Sequence, residues 1–156
     1  MSSQPQQKRS GGLSLVELML ALVILSIVAA IAIPAYRGYV ATSEMGRIIQ
    51  EMKQIELILE NYKLDSGGYP KTLDEAGVSL LDPWGNPYRY LRIEGATTLE
   101  KGAQRKDHNL VPINSDFDLY SMGKDGASAP PLTAVSSRDD IIRANNGEYY
   151  GYGKDY

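Results

Sequence analysis

The chain has 156 residues, of which 43% are hydrophobic and 22% charged, so its composition excludes a disordered tail and a polytopic membrane protein. Its formal net charge of −3 argues against nucleic acid as the partner, because nucleic-acid-binding domains usually carry a basic face. It has no cysteine and one histidine, His108, which excludes disulfides, zinc–thiolate sites and cysteine nucleophiles.

Residues 13–33 form an apolar run that contains a single charged residue, Glu17. At 1.5 Å per residue, a helix of this length extends about 31 Å, which matches the hydrocarbon thickness of a bilayer. A soluble core helix would show a polar face at 3.6-residue spacing, and this segment shows none. Because Lys8 and Arg9 precede the run, we predict a single membrane span with a cytoplasmic N-terminus.

A secretory signal peptide is the alternative interpretation of the same run. The apolar core of a signal peptide would be shorter, and no small-x-small cleavage site with an obvious mature start follows Ile33. A helical pattern instead continues beyond Pro34 and Tyr36. We therefore predict that the apolar segment is retained.

The residues around Gly12 resemble the class III signal of type IV pilins and pseudopilins. The pattern is Lys8-Arg9-Ser10-Gly11-Gly12 followed by Leu13-Ser14-Leu15-Val16-Glu17-Leu18. The resemblance implies that a prepilin peptidase cleaves between Gly12 and Leu13 and methylates the new N-terminal Leu13. The family usually has Phe or Met after the cleavage site, and Leu13 is a tolerated departure. Glu17 falls where the family keeps a glutamate, and Pro34 falls where it often has a proline.

The carboxylate of Glu17 is costly in apolar surroundings unless it has a partner. The next charged residue beyond it is Arg37, so the same chain offers no cation within reach. We predict that the α-amine of Leu13 in a neighbouring subunit pairs with Glu17 and sets the stagger of a helical filament. The alternative is that Glu17 reaches the membrane interface close to the mature N-terminus.

An amphipathic segment follows over residues 41–64. Apolar side chains recur at i, i+3 and i+4 spacing, as is typical of a helix with one buried face. They are Ile48, Met52, Ile55, Ile58, Leu59 and Tyr62. Pro34 and Gly38 weaken the helix locally, and Gly67-Gly68 ends it. Residues 13–64 are therefore predicted to form one long helix, with its first half in a membrane or filament core and its second half on a globular head.

The rest of the chain predicts a small head. Residues 88–93 and 116–122 alternate like strands and predict a short antiparallel sheet of two to four strands laid on the helix. Residues 126–140 are rich in Ala, Ser and Pro and are predicted to form a loop, whereas residues 140–144 are predicted to form a short helical turn. The Gly/Tyr-rich stretch 145–156 is compatible with an exposed tail, a subunit contact or a final strand.

Three head segments resemble the major pseudopilin of type II secretion. They are residues 61–70, the turn Asp82-Pro83-Trp84-Gly85-Asn86-Pro87-Tyr88, and residues 117–126. The resemblance implies the α+β, type IV pilin-like fold, with a long N-terminal helix on a small antiparallel sheet. It implies a cleaved leader (1–12), a transmembrane or filament-core helix (13–36) and a periplasmic head (37–156), divided into helix (37–66) and sheet with loops (67–156).

The same resemblance implies one Ca²⁺ ion bound in the loop after the sheet. Carboxylates and backbone carbonyls suit this hard cation, which takes six to eight oxygen ligands. The implied ligands are Asp125, the backbone carbonyl of Met122, Asp139 or Asp140, and, less strongly, Ser121. The alternative is that these acidic residues are loop caps and solvated charges. A bound ion would stabilise a small head that has no disulfides.

The chain has three candidate functions. The first is a pseudopilus subunit that polymerises through its helix into a periplasmic filament anchored in the bacterial inner membrane. Its implied partners are further copies, minor pseudopilins, a prepilin peptidase and the inner-membrane secretion platform. The second is a type IV pilin subunit of a surface fibre for adhesion, motility or DNA uptake, which the head motifs and the absence of cysteines disfavour. The third is a membrane-anchored enzyme, which the lack of a Gly-x-Ser-x-Gly motif and of a nucleotide-binding loop disfavours.

Overall fold

The computed structural model of the chain describes residues 12–97 and 102–156. One long helix, α1 (Leu15–Ser66), is followed by four short strands. These are β1 (Arg89–Arg92), β2 (Phe117–Ser121), β3 (Ile141–Ala144) and β4 (Tyr149–Tyr152). The α+β class, with a long N-terminal helix and a small antiparallel sheet, is confirmed. The predicted leader lies outside the described residues except for Gly12.

Helix α1 is continuous through Pro34 and Gly38. By its internal contacts the chain divides into two units, whose described parts are residues 12–41 and residues 42–97 with 102–156. In the first unit the most apolar stretch of α1 has none of its residues buried, and the helix is long and apolar enough to cross a membrane. The first unit therefore has no interior of its own.

The second unit has a core between the end of α1 and one face of the sheet. Four of the predicted apolar positions on α1 are fully buried, namely Ile48, Met52, Ile55 and Leu59. They pack in one cluster with Phe117, Leu119 and Ile141 of the sheet. The 3.6-residue spacing thus identified the buried face of the helix correctly.

The sheet follows the chain order β1-β2-β3-β4, and all neighbouring strands are antiparallel. Strand β3 corrects the predicted helical turn over 140–144. Ile141 pairs with Ser121 of β2 and with Tyr152 of β4, and all four residues of the strand are buried. A short apolar run is compatible with helix or strand by periodicity alone, and pairing on both sides decides for the strand. The open question of residues 145–156 is answered by β4.

A tight turn over residues 82–87 leads into β1. The carboxylate oxygen Oδ1 of Asp82 accepts the backbone N–H groups of Trp84 (3.0 Å) and Asn86 (2.8 Å). Gly85 has φ +91°, a conformation that residues with a Cβ resist, so the turn needs a glycine at this position. Trp84 is half-buried against the core.

Candidate functional site

The predicted processing and assembly residues lie at the start of the described part of the chain. Gly12 and Leu13 are exposed, and α1 begins two residues later. Oε2 of Glu17 accepts the backbone N–H of Ser14 (2.8 Å) and its hydroxyl (2.9 Å), while the Glu17 N–H donates to the Ser14 hydroxyl (3.2 Å). This reciprocal arrangement is a capping box, which satisfies N–H groups at the start of a helix. Glu17 therefore has a hydrogen-bonding partner in its own chain, although no cation pairs with it among the described residues.

The apolar side chains that follow Glu17 point away from any protein neighbour. Leu18 to Ile33 include large aliphatic side chains that are all more than half exposed within the chain, and Ile31 is 71% exposed. Large exposed apolar areas mark surfaces that contact a membrane or another protein. The helix can therefore serve as an anchor, as an assembly surface, or as both in succession.

Two of the predicted calcium ligands meet at a turn after β2. Oδ2 of Asp139 accepts the backbone N–H groups of Lys124 (2.9 Å) and Asp125 (3.2 Å), and Oδ1 of Asp125 accepts the N–H of Ala127 (2.8 Å). A Cβ on Gly123, which has φ +66°, would lie 2.5 Å from both Oδ2 and the backbone oxygen of Asp139. Only glycine allows this approach, so Gly123 brings Asp139 to the turn.

The other two side chains implied as ligands are engaged elsewhere. Ser121 is fully buried, and its hydroxyl donates to Oδ2 of Asp82 at 2.6 Å. Asp140 is fully buried and forms an ion pair with Arg105, with 2.6 Å between Oδ2 and Nη2. Both side chains therefore have partners inside the head, although Oδ1 of Asp140 is buried without a hydrogen-bond partner in the part of the chain that the structure describes.

Of the implied ligands, Asp125 and Asp139 lie together at the turn after β2. Two carboxylates and a carbonyl are ligands that Ca²⁺ accepts, with further oxygens from backbone or water. No group of three or more acidic or histidine side chains with metal-binding geometry occurs in the part of the chain that the structure describes.

The acidic pair Asp116 and Asp118 separates into two networks. Asp118 is buried in the head, where Oδ2 accepts the backbone N–H of Arg105 (2.7 Å) and Oδ1 accepts the side-chain amide of Asn114 (2.9 Å). Burial raises the pKa of Asp118 above the usual range, and these two hydrogen bonds oppose the rise. Asp116 binds Arg143 instead (2.6 Å), so both carboxylates have structural partners.

Sequence reasoning missed two buried arginines, Arg105 and Arg143. Arg143 on β3 binds Glu56 of α1 (2.7 Å) as well as Asp116, and its guanidinium lies 4.1 Å from the ring centre of Phe117. Tyr150 of β4 donates its hydroxyl to the same Glu56. Hydrogen bonds to the two carboxylates hold the pKa of Arg143 above its ordinary value, although burial acts to lower it. No periodic pattern marks a lone arginine, because its partners lie far away in sequence.

The N-terminal region matches the family model described as the prokaryotic N-terminal methylation motif, over residues 7–33. The match covers the residues that resemble the class III signal and most of the apolar run. It indicates pilus-like assembly and processing by a prepilin peptidase.

Curated relatives extend the similarity into the head. The type II secretion system core protein G of Pseudomonas aeruginosa is 30% identical over 145 residues, covering 78% of this chain and 88% of the relative. The protein of the same name from Aeromonas hydrophila is also 30% identical over 145 residues, covering 78% and 87%. The type IV major fimbrial protein FimA of Dichelobacter nodosus is 37% identical over 81 residues, covering 49% and 48%. No solved structure gives a significant match to the chain.

Proposed function

The chain belongs to the family of type II secretion system core protein G, and from this premise we propose that it is the structural subunit of a secretion pseudopilus. Copies polymerise through the apolar part of α1 into a periplasmic filament that helps to push folded proteins across the outer membrane. The proposal rests on how much of the chain each kind of relative matches. The core protein G relative matches 78% of the chain, whereas the fimbrial relative matches 49%.

A subunit of a type IV surface fibre is the second candidate. The observation in its favour is the 37% identity to a fimbrial protein over 81 residues. That similarity spans about half of each chain, so it does not account for the whole head. Both candidates share the N-terminal helix and its processing, and they differ in the filament that is built.

The apolar helix supports an inner-membrane location before assembly. Its side chains have no interior to fill within their own unit, so lipid or neighbouring helices must cover them. Lys8 and Arg9 precede the helix and favour a cytoplasmic N-terminus, which places the head in the periplasm. After assembly, neighbouring copies take over the contacts that lipid made before.

Processing exposes the group that we propose as the partner of Glu17. Cleavage between Gly12 and Leu13 creates an α-amine at Leu13, which the peptidase methylates. Both hydrogen bonds that Ser14 donates end on Oε2 of Glu17, so Oε1 is available to that amine in a neighbouring copy. Charge pairing in an apolar filament core would fix the axial position of each subunit.

In this proposal the chain does mechanical work as part of a polymer and supplies no catalytic step. Minor pseudopilins and the inner-membrane secretion platform are its further partners, and an ATPase elsewhere in the machine provides the energy. The acidic net charge of −3 agrees with a protein that does not bind nucleic acid.

The test is expression of the full chain together with a prepilin peptidase, in cells that carry the secretion machine and lack their own subunit. We expect an N-terminal peptide that begins at Leu13 and carries one added methyl group by mass spectrometry. We also expect short periplasmic filaments by electron microscopy and restored secretion. Long surface fibres without restored secretion would favour the fimbrial candidate, and an uncleaved chain would contradict both.

We also propose that Ca²⁺ binds at Asp125, Asp139 and the carbonyl of Met122. Thermal melting of the full chain in detergent micelles tests this, with the fluorescence of Trp84, the only tryptophan, as the reporter of the head. A ligand that binds only the folded state stabilises it by about 4 kcal/mol at a thousandfold excess over Kd, so Ca²⁺ should raise the melting temperature by several degrees over EDTA.

The variant Asp125→Ala should abolish the calcium-dependent rise in melting temperature. Asp65→Ala is the matched control, because Asp65 is exposed at the end of α1 and outside the turn. The control should keep the full rise. Identical melts of the unmodified chain in Ca²⁺ and in EDTA would contradict the proposed site.

A further inference from the structure

Arg105 lies inside the head although it belongs to the long connection between β1 and β2. Its side chain is 2% exposed, and its backbone N–H donates to the buried carboxylate of Asp118 (2.7 Å). Its guanidinium carbon lies 4.3 Å from the ring centre of Tyr120, so the planar cation stacks near an aromatic face. The backbone and the side chain of Arg105 are therefore both held in place.

Three oxygens surround the tip of this guanidinium. Nη1 donates to the Ser128 hydroxyl (2.6 Å) and to the Ala129 carbonyl (2.7 Å), and Nη2 donates to Oδ2 of Asp140 (2.6 Å). A carboxylate, a hydroxyl and a carbonyl converging on one point are the kinds of oxygen that a hard metal cation takes. We call these three groups the oxygen cage.

We propose that the oxygen cage is a cation site that the chain fills with its own arginine, which replaces a metal ion as the anchor of the loop over residues 126–140. The charge argument is direct. Asp140 is fully buried, and a buried carboxylate is costly unless a positive group neutralises it. Arg105 supplies that charge within hydrogen-bonding distance of Oδ2, while Oδ1 of Asp140 is buried without a hydrogen-bond partner among the described residues.

The cage fastens the loop at both ends. Ser128 and Ala129 lie near its start and Asp140 is its last residue, and Arg105 contacts all three. Within the loop, the Ser137 hydroxyl donates to the Ala129 carbonyl (2.8 Å) and accepts the Ala129 N–H (2.9 Å). The loop precedes β3 directly, so the anchor also fixes the entry to the central part of the sheet.

This inference is independent of the proposed calcium site, which uses Asp125 and Asp139 instead. Calcium would act on the turn after β2, and Arg105 acts on the loop that follows it. The two proposals therefore predict different outcomes in EDTA. The loop should stay anchored in EDTA as long as Arg105 is present.

The test is limited trypsin digestion of the full chain in detergent micelles, in excess EDTA. Lys124 and Arg138 are exposed cleavage sites that flank most of the loop. We expect the unmodified chain to resist cleavage after Arg138 and Arg105→Ala to be cleaved at least about tenfold faster, because an open loop is the form that proteases cut. Millimolar methylguanidinium should restore the protection of Arg105→Ala, whereas methylammonium should not.

Arg89→Ala is the matched control, since Arg89 is exposed on β1 and lies outside the cage. It should be cleaved at the rate of the unmodified chain. Unchanged protection in Arg105→Ala would overturn the proposal. Equal rescue of that variant by methylammonium would also overturn it, because the cage would then accept a simple cation as well as a guanidinium.

A second variant covers the case in which Arg105→Ala does not fold. Replacing both charged partners with apolar side chains in Arg105→Met/Asp140→Leu removes the buried charge together with its counter-ion. We expect this double variant to fold, as judged by Trp84 fluorescence, and to be protected better than Arg105→Met alone. A double variant that is no better than the single one would contradict the pairing.

Discussion

The two units of the chain handle their apolar side chains in opposite ways. In residues 12–41, the large aliphatic side chains are exposed, and Leu13 is 80% exposed. In residues 42–156, the aliphatic face of α1 is fully buried, as Ile55 shows, and buried arginines add ion pairs to the packing. One unit has its partners inside the chain, and the other must find them outside it.

This difference separates folding from assembly. The second unit holds the cross-strand pairs, the core and the networks of Arg105 and Arg143, so changes there act on the stability of a single subunit. The first unit contributes no core, so changes there act on what surrounds the helix.

The largest effect is expected from Glu17→Ala in the first unit. We expect no filaments by electron microscopy, because the α-amine of Leu13 in the next copy would lose its counter-charge, while membrane insertion and the stability of the head stay unchanged. Filaments in wild-type yield would contradict the pairing.

Two further variants distinguish charge pairing from helix capping by Glu17. Glu17→Gln keeps an acceptor for Ser14 and removes the charge, and we expect it to fail in assembly. Ser14→Ala removes the capping partner and keeps the charge, and we expect it to assemble. The reverse result would show that the capping box is what assembly requires.

In the second unit, Arg143→Met should cause the largest loss of stability. It leaves Glu56 and Asp116 without their buried partner, and breaking a buried ion pair on one side costs about 3–5 kcal/mol. Urea unfolding followed by Trp84 fluorescence measures the loss. Lys63→Ala, which removes the partly exposed ion pair with Glu94, should cost no more than about 1 kcal/mol. Equal losses in the two variants would contradict the weight given to burial.

The two faces of α1 give a matched pair within one helix. Ile55→Ala should cost about 2–5 kcal/mol, because Ile55 is fully buried and its loss leaves a cavity. Leu57→Ala should be within about 0.5 kcal/mol of the unmodified chain, since Leu57 is 66% exposed and alanine is a good helix former. The same urea titration checks both, and a large loss at Leu57 would place that residue in a contact of the head.

The smallest effect concerns the pH dependence at Asp118. Burial raises its pKa in the folded state, so the folded head keeps this proton to higher pH than the unfolded chain does. Its contribution to stability is therefore largest below its unfolded pKa of about 3.9 and falls as the pH rises through the folded value. The unfolding free energy of the unmodified chain minus that of Asp118→Asn should therefore fall as the pH rises over that range. A difference that grows with pH would show that the folded pKa is lowered.

Periodicity predicted the elements with regular patterns. The helix predicted over 13–64 is α1 (Leu15–Ser66), and the alternating segments over 88–93 and 116–122 contain β1 and β2. A helical stripe and a strand alternation are local signals, so a single sequence displays them. The long helix and its buried face could therefore be predicted from the sequence alone.

Elements defined by distant partners could not be read in this way. Residues 140–144 look equally suited to helix or strand until Ser121 and Tyr152 are placed on either side of Ile141. Arg105 carries no local sign that Asp140, 35 residues away, is its partner. The same pairing places Oδ2 of Asp140 against Arg105 in the interior of the head.

The order of the strands along the chain has a kinetic consequence. Each strand lies beside its neighbours in sequence, so the sheet can grow by adding one strand at a time to an existing edge. The bonds that tie β3 and β4 to α1 close later, because Glu56 receives them from Arg143 and Tyr150, 87 and 94 residues further along. Closing such long segments is slow, so the speed of folding depends on the last strands to be synthesised. A nascent chain that stops before β3 would lack both of these bonds to Glu56.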